Sequence, residues 1–464
     1  MSDNIQRSPN PRRRQPPKRQ IDLIPVIAIL IAVLIAAVFT AALFTYGVTG
    51  GGRTNNSVVQ PTQSTTQPTE PSTKPTVPED PGVTVTGTAT LGATGDILMH
   101  MPCVTPALQS DGTYDFSTYF ANFSAYVQAV DYAVANLETT LAGTAYKYSG
   151  YPQFNCPDGI IPSLKSAGFD MMLTANNHTY DTLSTGFFRT QEIIAQYGMD
   201  HIGTKPDVET DSYLIKNING IRVGMVCYTY ETNESPDKID LNGGTDLKED
   251  EEPLINVFLK NDVEGFTADL AEKVSDMRAD GAEAIVLYIH WGEEYQTKQN
   301  SQQKAMAQAA CDLGVDVIVG GHPHVIQPLD LLTSTTDSDH KTICLYSTGN
   351  AMSNQRLGNI SYVKTAHTED GIFFSFTLVK YSDGTVRVEG VEVLPLWVNL
   401  HTSTGKTVYD ILPLDKAVTD WKTAFKLTDS TLTQANDSYD RTMKIVGSGL
   451  EKIEAYLNSL PKVE

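Results

Sequence analysis

Cysteine is scarce: 464 residues contain five, at positions 103, 156, 227, 311 and 344, and no two form a C-x-x-C pair. That excludes a dense disulfide scaffold. Cys227 and Cys344 fall in strand-like apolar runs and Cys311 in a helix-like one, so buried free thiols are expected, with Cys103 and Cys156 the single pair considered for a bridge. Positive charge is also short, 34 Lys and Arg against 55 Asp and Glu, a net charge of −21. Residues 1–20 hold six basic residues and one acid, Asp3, which leaves −26 on the remainder. A body so acidic repels polyanions at long range, and nucleic acid is excluded as a partner. An anionic substrate then needs a local positive device, most simply a metal ion.

Long apolar runs are absent, with one exception. From Leu23 to Tyr46, 24 residues carry no charge, and Pro25 is an early breaker. As a helix this run spans roughly 36 Å, enough to cross a bilayer. The arginine-rich residues before it set the N-terminus in the cytoplasm and the rest outside. A cleaved signal peptide shares this layout, but the run is longer than a usual h-region and no clean A-x-A site follows. The expected organisation is a basic cytoplasmic tail (1–22), a transmembrane anchor (23–46), a disordered stalk rich in Gly, Ser, Thr, Gln and Pro (47–82), a folded domain (83–400) and a helical C-terminal extension (401–464). The expected location is the cell membrane, single-pass, with the C-terminal domain extracellular.

Beyond Val83, short apolar runs alternate with helical stretches, the rhythm of an α/β layered fold. Strands are expected at 88–94, 132–135, 170–174, 222–228, 284–289, 315–319 and 342–346, and helices at 302–313, 186–196 and 162–167. Six of the apolar runs deliver a polar group at the same end. TLGATGD ends in Asp96, YAVANLE in Asn136 and Glu138, MMLTANNH in Asn176, Asn177 and His178, AIVLYIHWG in His290, DVIVGGHPH in His322 and His324, and ICLYSTGN in Asn350. Ligands of open α/β sheets bind beyond the carboxyl ends of strands, so these groups are expected to converge. Asp, Glu, Asn and His without Cys is the ligand set of a hard-to-borderline metal.

Each group has a plainer explanation when taken singly. Asp96 after a glycine fits a turn, Asn177 and Asp181 fit helix N-caps, Asn136 fits a strand end, and His290 fits a core. Gly320-Gly321-His322-Pro323-His324 resists that treatment. On an extended segment its two imidazoles point to one side, and the paired glycines let the chain approach a ligand closely.

In order, TGDILMH, ANLET, TANNHTYD, YIHWGEEY, GGHPHVIQP and YSTGN resemble the CapA-type proteins of poly-γ-glutamate capsule synthesis, whose domain is similar to the calcineurin-like metallophosphoesterases. The resemblance covers about residues 88–400. It implies an α/β fold, a four-layer α/β/β/α sandwich of the metallo-dependent phosphatase type. It also implies one or two divalent metal ions, with Mn, Zn and Fe not distinguished. Asp96, Glu138 as the bridging carboxylate and His324 would serve the first ion, and Asn177, His290 and His322 the second. His178, oriented by Asp181, would contact substrate and protonate the leaving group, with Asn136, Glu294 and Asn350 in supporting positions. Two departures stand out. Ile97 and Leu98 follow Asp96 where phosphoesterases have Asp-x-His, so an imidazole is missing, and His100 is the nearest substitute; Asn136-Leu137-Glu138 replaces Gly-Asp.

The expected function is a membrane-anchored metal-dependent hydrolase of phosphoester or related bonds, acting on an anionic cell-surface polymer or its precursor, alongside other capsule synthesis proteins. The alternative is a non-catalytic, metal-containing assembly or export factor. Elsewhere, 237–252 is expected to be a mobile acidic surface insertion, because it fails the calcium-loop spacing. His201, His340, His367 and His401 are expected at the surface. The tail 411–464 is expected to be mostly helical, with a stripe of Ile445, Leu450, Ile453 and Leu457.

Overall fold

The computed structural model describes residues 82–232, 238–361 and 363–461. The tail, the apolar run and the stalk before residue 82 lie outside the described residues. Among the described residues no helix is long and apolar enough to cross a membrane.

Two mixed sheets carry the fold. The first runs Lys406–Pro413, Val386–Ser403, Asp370–Tyr381, Val85–Ile97, Tyr132–Leu137, Met171–Leu173, Asp200–Ile202, with Asn350–Met352 added beside Val85–Ile97. The second runs Leu329–Thr333, Lys341–Leu345, Val317–Gly321, Ala284–His290, Ile221–Tyr230, Leu214–Ile218, with Val257–Phe258 beside Ile221–Tyr230. The central strands are apolar at successive positions because both their faces are covered. In Ala284–His290, Val286 and Tyr288 join a core shared with Val134, Met171 and Phe374 of the other sheet. Ile285, Leu287 and Ile289 turn the other way, onto Phe266, Leu270 and Met277 of helix Val263–Ala279 and Met306 and Ala310 of helix Ser301–Asp312. On the far side of the first sheet, Ala133, Ala135 and Met172 meet Phe120, Ile161, Leu164 and Ile194. The result is a layered α/β sandwich.

Each expected strand has an observed counterpart, but the C-terminal part of the domain differs from expectation. Asp370–Tyr381, Val386–Ser403 and Lys406–Pro413 form an antiparallel meander that was not foreseen. The second strand runs past residue 400, and the extension at 401 begins as sheet. The reason is local: Thr404 and Gly405 both take positive φ, a turn that folds Lys406 back beside Ser403. Helix comes later, at Asp429–Ser459. Its Val446 and Ile453 are fully buried in the inter-sheet core, with Ile445, Leu450 and Leu457 packed around them. All five cysteines are buried and free, Cys103 and Cys156 included.

The long helix is fixed to the sandwich by charge as well. Asp370, 1% exposed, accepts from Ser438 (2.6 Å) and from Arg441 Nε and Nη2 (2.8 and 2.7 Å). Burial lifts its carboxyl to about 6, against the pull of Arg441 and Ser438. A folded-state value above the unfolded 3.8 means that this group's contribution is full below pH 3.8 and is lost as pH rises through about 6. Arg441→Met should therefore strand a buried carboxylate at pH 7. The expected loss is roughly 2 to 3 kcal/mol, below the fully buried range because the Arg441 side chain keeps 24% exposure. At pH 5, where Asp370 is protonated, the loss should largely vanish, which thermal unfolding at the two pH values checks.

Candidate metal centre

Parallel pairing lays the strand ends side by side. Asp96 is in register with Asn136 on one neighbour and Asn350 on the other, while His290 is in register with Gly321. The two sheets thereby aim their carboxyl ends at one place. There, ligand atoms of Glu138, His290 and His322 lie within 4.8 Å of one another, as do those of Asp96, Glu138 and His324. Glu138 belongs to both groups, and all five side chains are buried.

The donor set fits a cation on its own chemistry. Glu138 is fully buried, yet both carboxylate oxygens lack a hydrogen-bond partner, as does His322 Nδ1. A bare buried carboxylate is strongly disfavoured unless a positive charge faces it. Burial, then the charges of Asp96, Glu294 and Asp181, push its carboxyl well above the usual range. Burial, followed by repulsion from neighbouring histidines, holds His290 and His322 well below theirs, leaving neutral imidazoles with lone pairs for a metal. Burial works the same way on His324, but the hydrogen bond and charge of Asp96 outweigh it and the net shift is upward. These buried groups could hold a metal ion through oxygen and nitrogen alone.

A scaffold of carboxamides orients them. Asn136 donates to Asp96 Oδ1 (2.8 Å) and accepts from Asn176 (3.1 Å), which also donates to the Leu137 carbonyl (3.0 Å). Asn177 Oδ1 is 2.8 Å from His290 Nε2, the nitrogen that stands 3.6 Å from Glu138. Asn350 Oδ1 lies 3.2 Å from His324 Nδ1, and its amide donates to the carbonyls of His324 and Thr368. His178 stands outside both three-residue groups. Its Nδ1 is 2.7 Å from Asp181 Oδ2, and its ring packs edge-on against Phe154.

Several expectations need correction. The GGHPH segment is not extended: His322 and His324 take φ of 93° and 54°. Such strain persists only where surroundings impose it, and here the two rings, 5.9 Å apart, serve different groups. Close approach does require Gly320, where a Cβ would strike the Tyr346 carbonyl. Glu294 is exposed on a turn, and its charge reaches Glu138 and His324. His100 joins neither group; it is buried, its Nε2 is without a partner and its ring lies against Phe154. His201, His340, His367 and His401 are half-buried, His340 Nε2 lying 3.0 Å from the Val315 carbonyl.

The described part of the acidic insertion, 238–252, is docked, because Leu241 and Leu247, followed by Leu254 just beyond it, enter the inter-sheet core. From it Asn242 donates to Asp181 Oδ1 (2.8 Å) and the Pro152 carbonyl (2.7 Å), so it braces the His178–Asp181 pair. Sequence reasoning missed this residue, and no local pattern marks it. Tyr230 was missed too, though it ends an apolar strand like the others. It stacks parallel to His290 and sits 4.7 Å from His322, with Lys260 over its ring.

Comparison with known proteins agrees with these motifs. The family model described as "Bacterial capsule synthesis protein PGA_cap" matches residues 90–355, more than half of the chain. The capsule biosynthesis protein CapA of Bacillus anthracis is 26% identical over 280 residues, 57% of this chain and 60% of that protein. The PGA biosynthesis protein CapA of Bacillus subtilis (strain 168) is 25% identical over 286 residues, 61% of this chain and 65% of that protein. The chain thus spans less than two thirds of the length of these curated relatives. By the extent of the family match, the chain belongs to the bacterial capsule synthesis protein family PGA_cap.

Proposed function

We propose that the protein is a membrane-anchored, extracellular metal-dependent hydrolase of capsule or cell-surface polymer synthesis, with a metallophosphatase-type α/β/β/α domain acting on a phosphoester or related bond in an anionic polymer or its precursor. The observation that carries this is Glu138, buried with both oxygens bare between an Asp–His and a His–His pair. Asp96, Glu138 and His324 would hold one divalent ion, and Glu138, His290 and His322 a second, with Asn177 beside His290. When bound, such ions supply positive charge for an anionic ester and acidify a water.

The chain's own residues do the rest. His178 is held by Asp181, itself fixed by the Phe154 N–H and Asn242, so that Nε2 presents to the substrate while Nδ1 is tied. In that position it delivers a proton to the leaving oxygen. Asn136, Asn176 and Asn350 keep the Asp96 and His324 side chains in place, and Tyr230 closes one wall of the site.

A second reading is favoured by one feature: buried Leu98 occupies the place of the imidazole in Asp-x-His. In that reading the ion binds carboxylates of the polymer and the protein is an assembly or export factor. The test is hydrolysis of bis(p-nitrophenyl) phosphate by the full chain with and without a chelator. Hydrolysis that stops with chelator and returns with Mn or Zn supports the enzyme; metal-loaded protein with no turnover on any phosphoester favours the binding role.

A further inference from the structure

Parallel pairing brings a lysine to the metal centre as well. Strand Val257–Phe258 runs beside Ile221–Tyr230 with Phe258 in register with Tyr230, so Lys260 emerges at the same sheet end as the metal-binding groups. Its ammonium lies 5.8 Å from the centre of the Tyr230 ring, and that ring lies 4.7 Å from the ring of His322. Lys260 is thus one aromatic ring away from a residue of the candidate metal centre. Its charge reaches the site: after burial and the neighbouring histidines, Lys260 helps to keep His322 neutral.

The side chain is open to an incoming group. It is 33% exposed, and its partner Glu293, 2.9 Å away on the loop after His290, is 52% exposed. A pair in such surroundings contributes little to stability and is readily exchanged. An ammonium has three donors, and the contact with Glu293 engages one of them. Tyr230 holds the cation near the site without satisfying the others. Glu293 and Glu294 are both exposed here, and the charges of both reach Tyr230. On a chain of net charge −21 they repel an anionic substrate on its way to the metal ligands, and Lys260 offsets that repulsion locally. One ammonium balances one negative charge; a phosphate dianion calls for more donors than it offers.

We propose that Lys260 forms an anion subsite beside the metal centre, which takes a singly charged group, a carboxylate or a phosphodiester, borne by the substrate next to the bond that is cut. The lysine turns from Glu293 to that group when substrate binds. This rests on the hydrolase reading of the metal centre and adds a requirement to it, a second negative charge close to the scissile ester.

The test is calorimetric titration of the full chain, in detergent and loaded with Mn, with three phosphonates of matched length. Butylphosphonate ends in a methyl group, phosphonobutyrate in a carboxylate, and phosphonopropylsulfonate in a sulfonate, which has the single charge and tetrahedral oxygens of a phosphodiester. At least one of the two charged probes should bind about tenfold more tightly than butylphosphonate, the scale of one hydrogen bond to a charged group, and which of them does so names the source. Lys260→Met should abolish that preference with the affinity for butylphosphonate and the bound metal unchanged. Glu293→Gln, which frees the lysine, should increase it. Absence of the preference in the native chain, or its survival in Lys260→Met, would overturn the proposal. Failure to hydrolyse any phosphoester with the preference intact would remove the hydrolase reading and leave the subsite; failure of all three phosphonates to bind would remove both.

Discussion

Glu138→Gln should strip the protein of divalent metal while leaving it folded. Glu138 is the residue common to both three-ligand groups, so one substitution removes a ligand from each. Glutamine keeps the shape and one oxygen, but the charge that a cation needs is gone. Loss of an outer-sphere partner typically weakens metal binding by 10–100-fold, and loss of a shared carboxylate should exceed about 100-fold. The fold should tolerate the change. In the metal-free state the Glu138 carboxyl is driven toward its neutral form by burial, and an amide is neutral at every pH. Competition with a chromophoric chelator, together with thermal unfolding of chelated protein, checks both halves. Unchanged affinity would mean that the two groups are not where the metal binds.

His178→Ala should have the opposite pattern: metal retained, turnover lost. His178 is in neither ligand group, and its contacts are Asp181, Phe154 and Asn176. Removing a positioned general acid typically costs about 100- to 10,000-fold in rate. The fall should shrink with a substrate whose leaving group needs no proton, such as p-nitrophenolate, and be full for an alkyl ester. A residue that merely supports structure would not distinguish the two substrates. Equal loss on both would assign His178 to substrate binding.

The site was more legible in the sequence than the fold around it. Parallel strands buried on both faces write apolar runs that end abruptly, so Asp96, His290 and the GGHPH segment each mark a strand end. Register then sets Asp96 beside Asn136 and Asn350, at a point where the pairing of its strand shifts. The meander after residue 370 was harder to see. Val386–Ser403 is mostly half-buried, and Arg387, Glu389 and Glu392 interrupt its apolar side chains. Its turns at Gly384 and at Thr404-Gly405 were the available signal. Asn242 carried no signal at all, since a residue that reaches Asp181 from 61 positions away depends on how a hairpin docks. The backbone of His322 and His324 was misjudged for a related reason. Positive φ at a non-glycine is imposed by tertiary surroundings, and local sequence disfavours it.

X-ray absorption at the metal edge of the purified full chain tests the central claim most directly. The expected spectrum has a first shell of nitrogen and oxygen only, multiple-scattering features of imidazole from His290, His322 and His324, and no sulfur. Where both groups are filled, it should add a metal–metal distance of about 3.5–4 Å. A folded protein that carries no ion and takes none up from Mn, Zn or Fe, or one whose metal is bound by thiolate, would contradict the account.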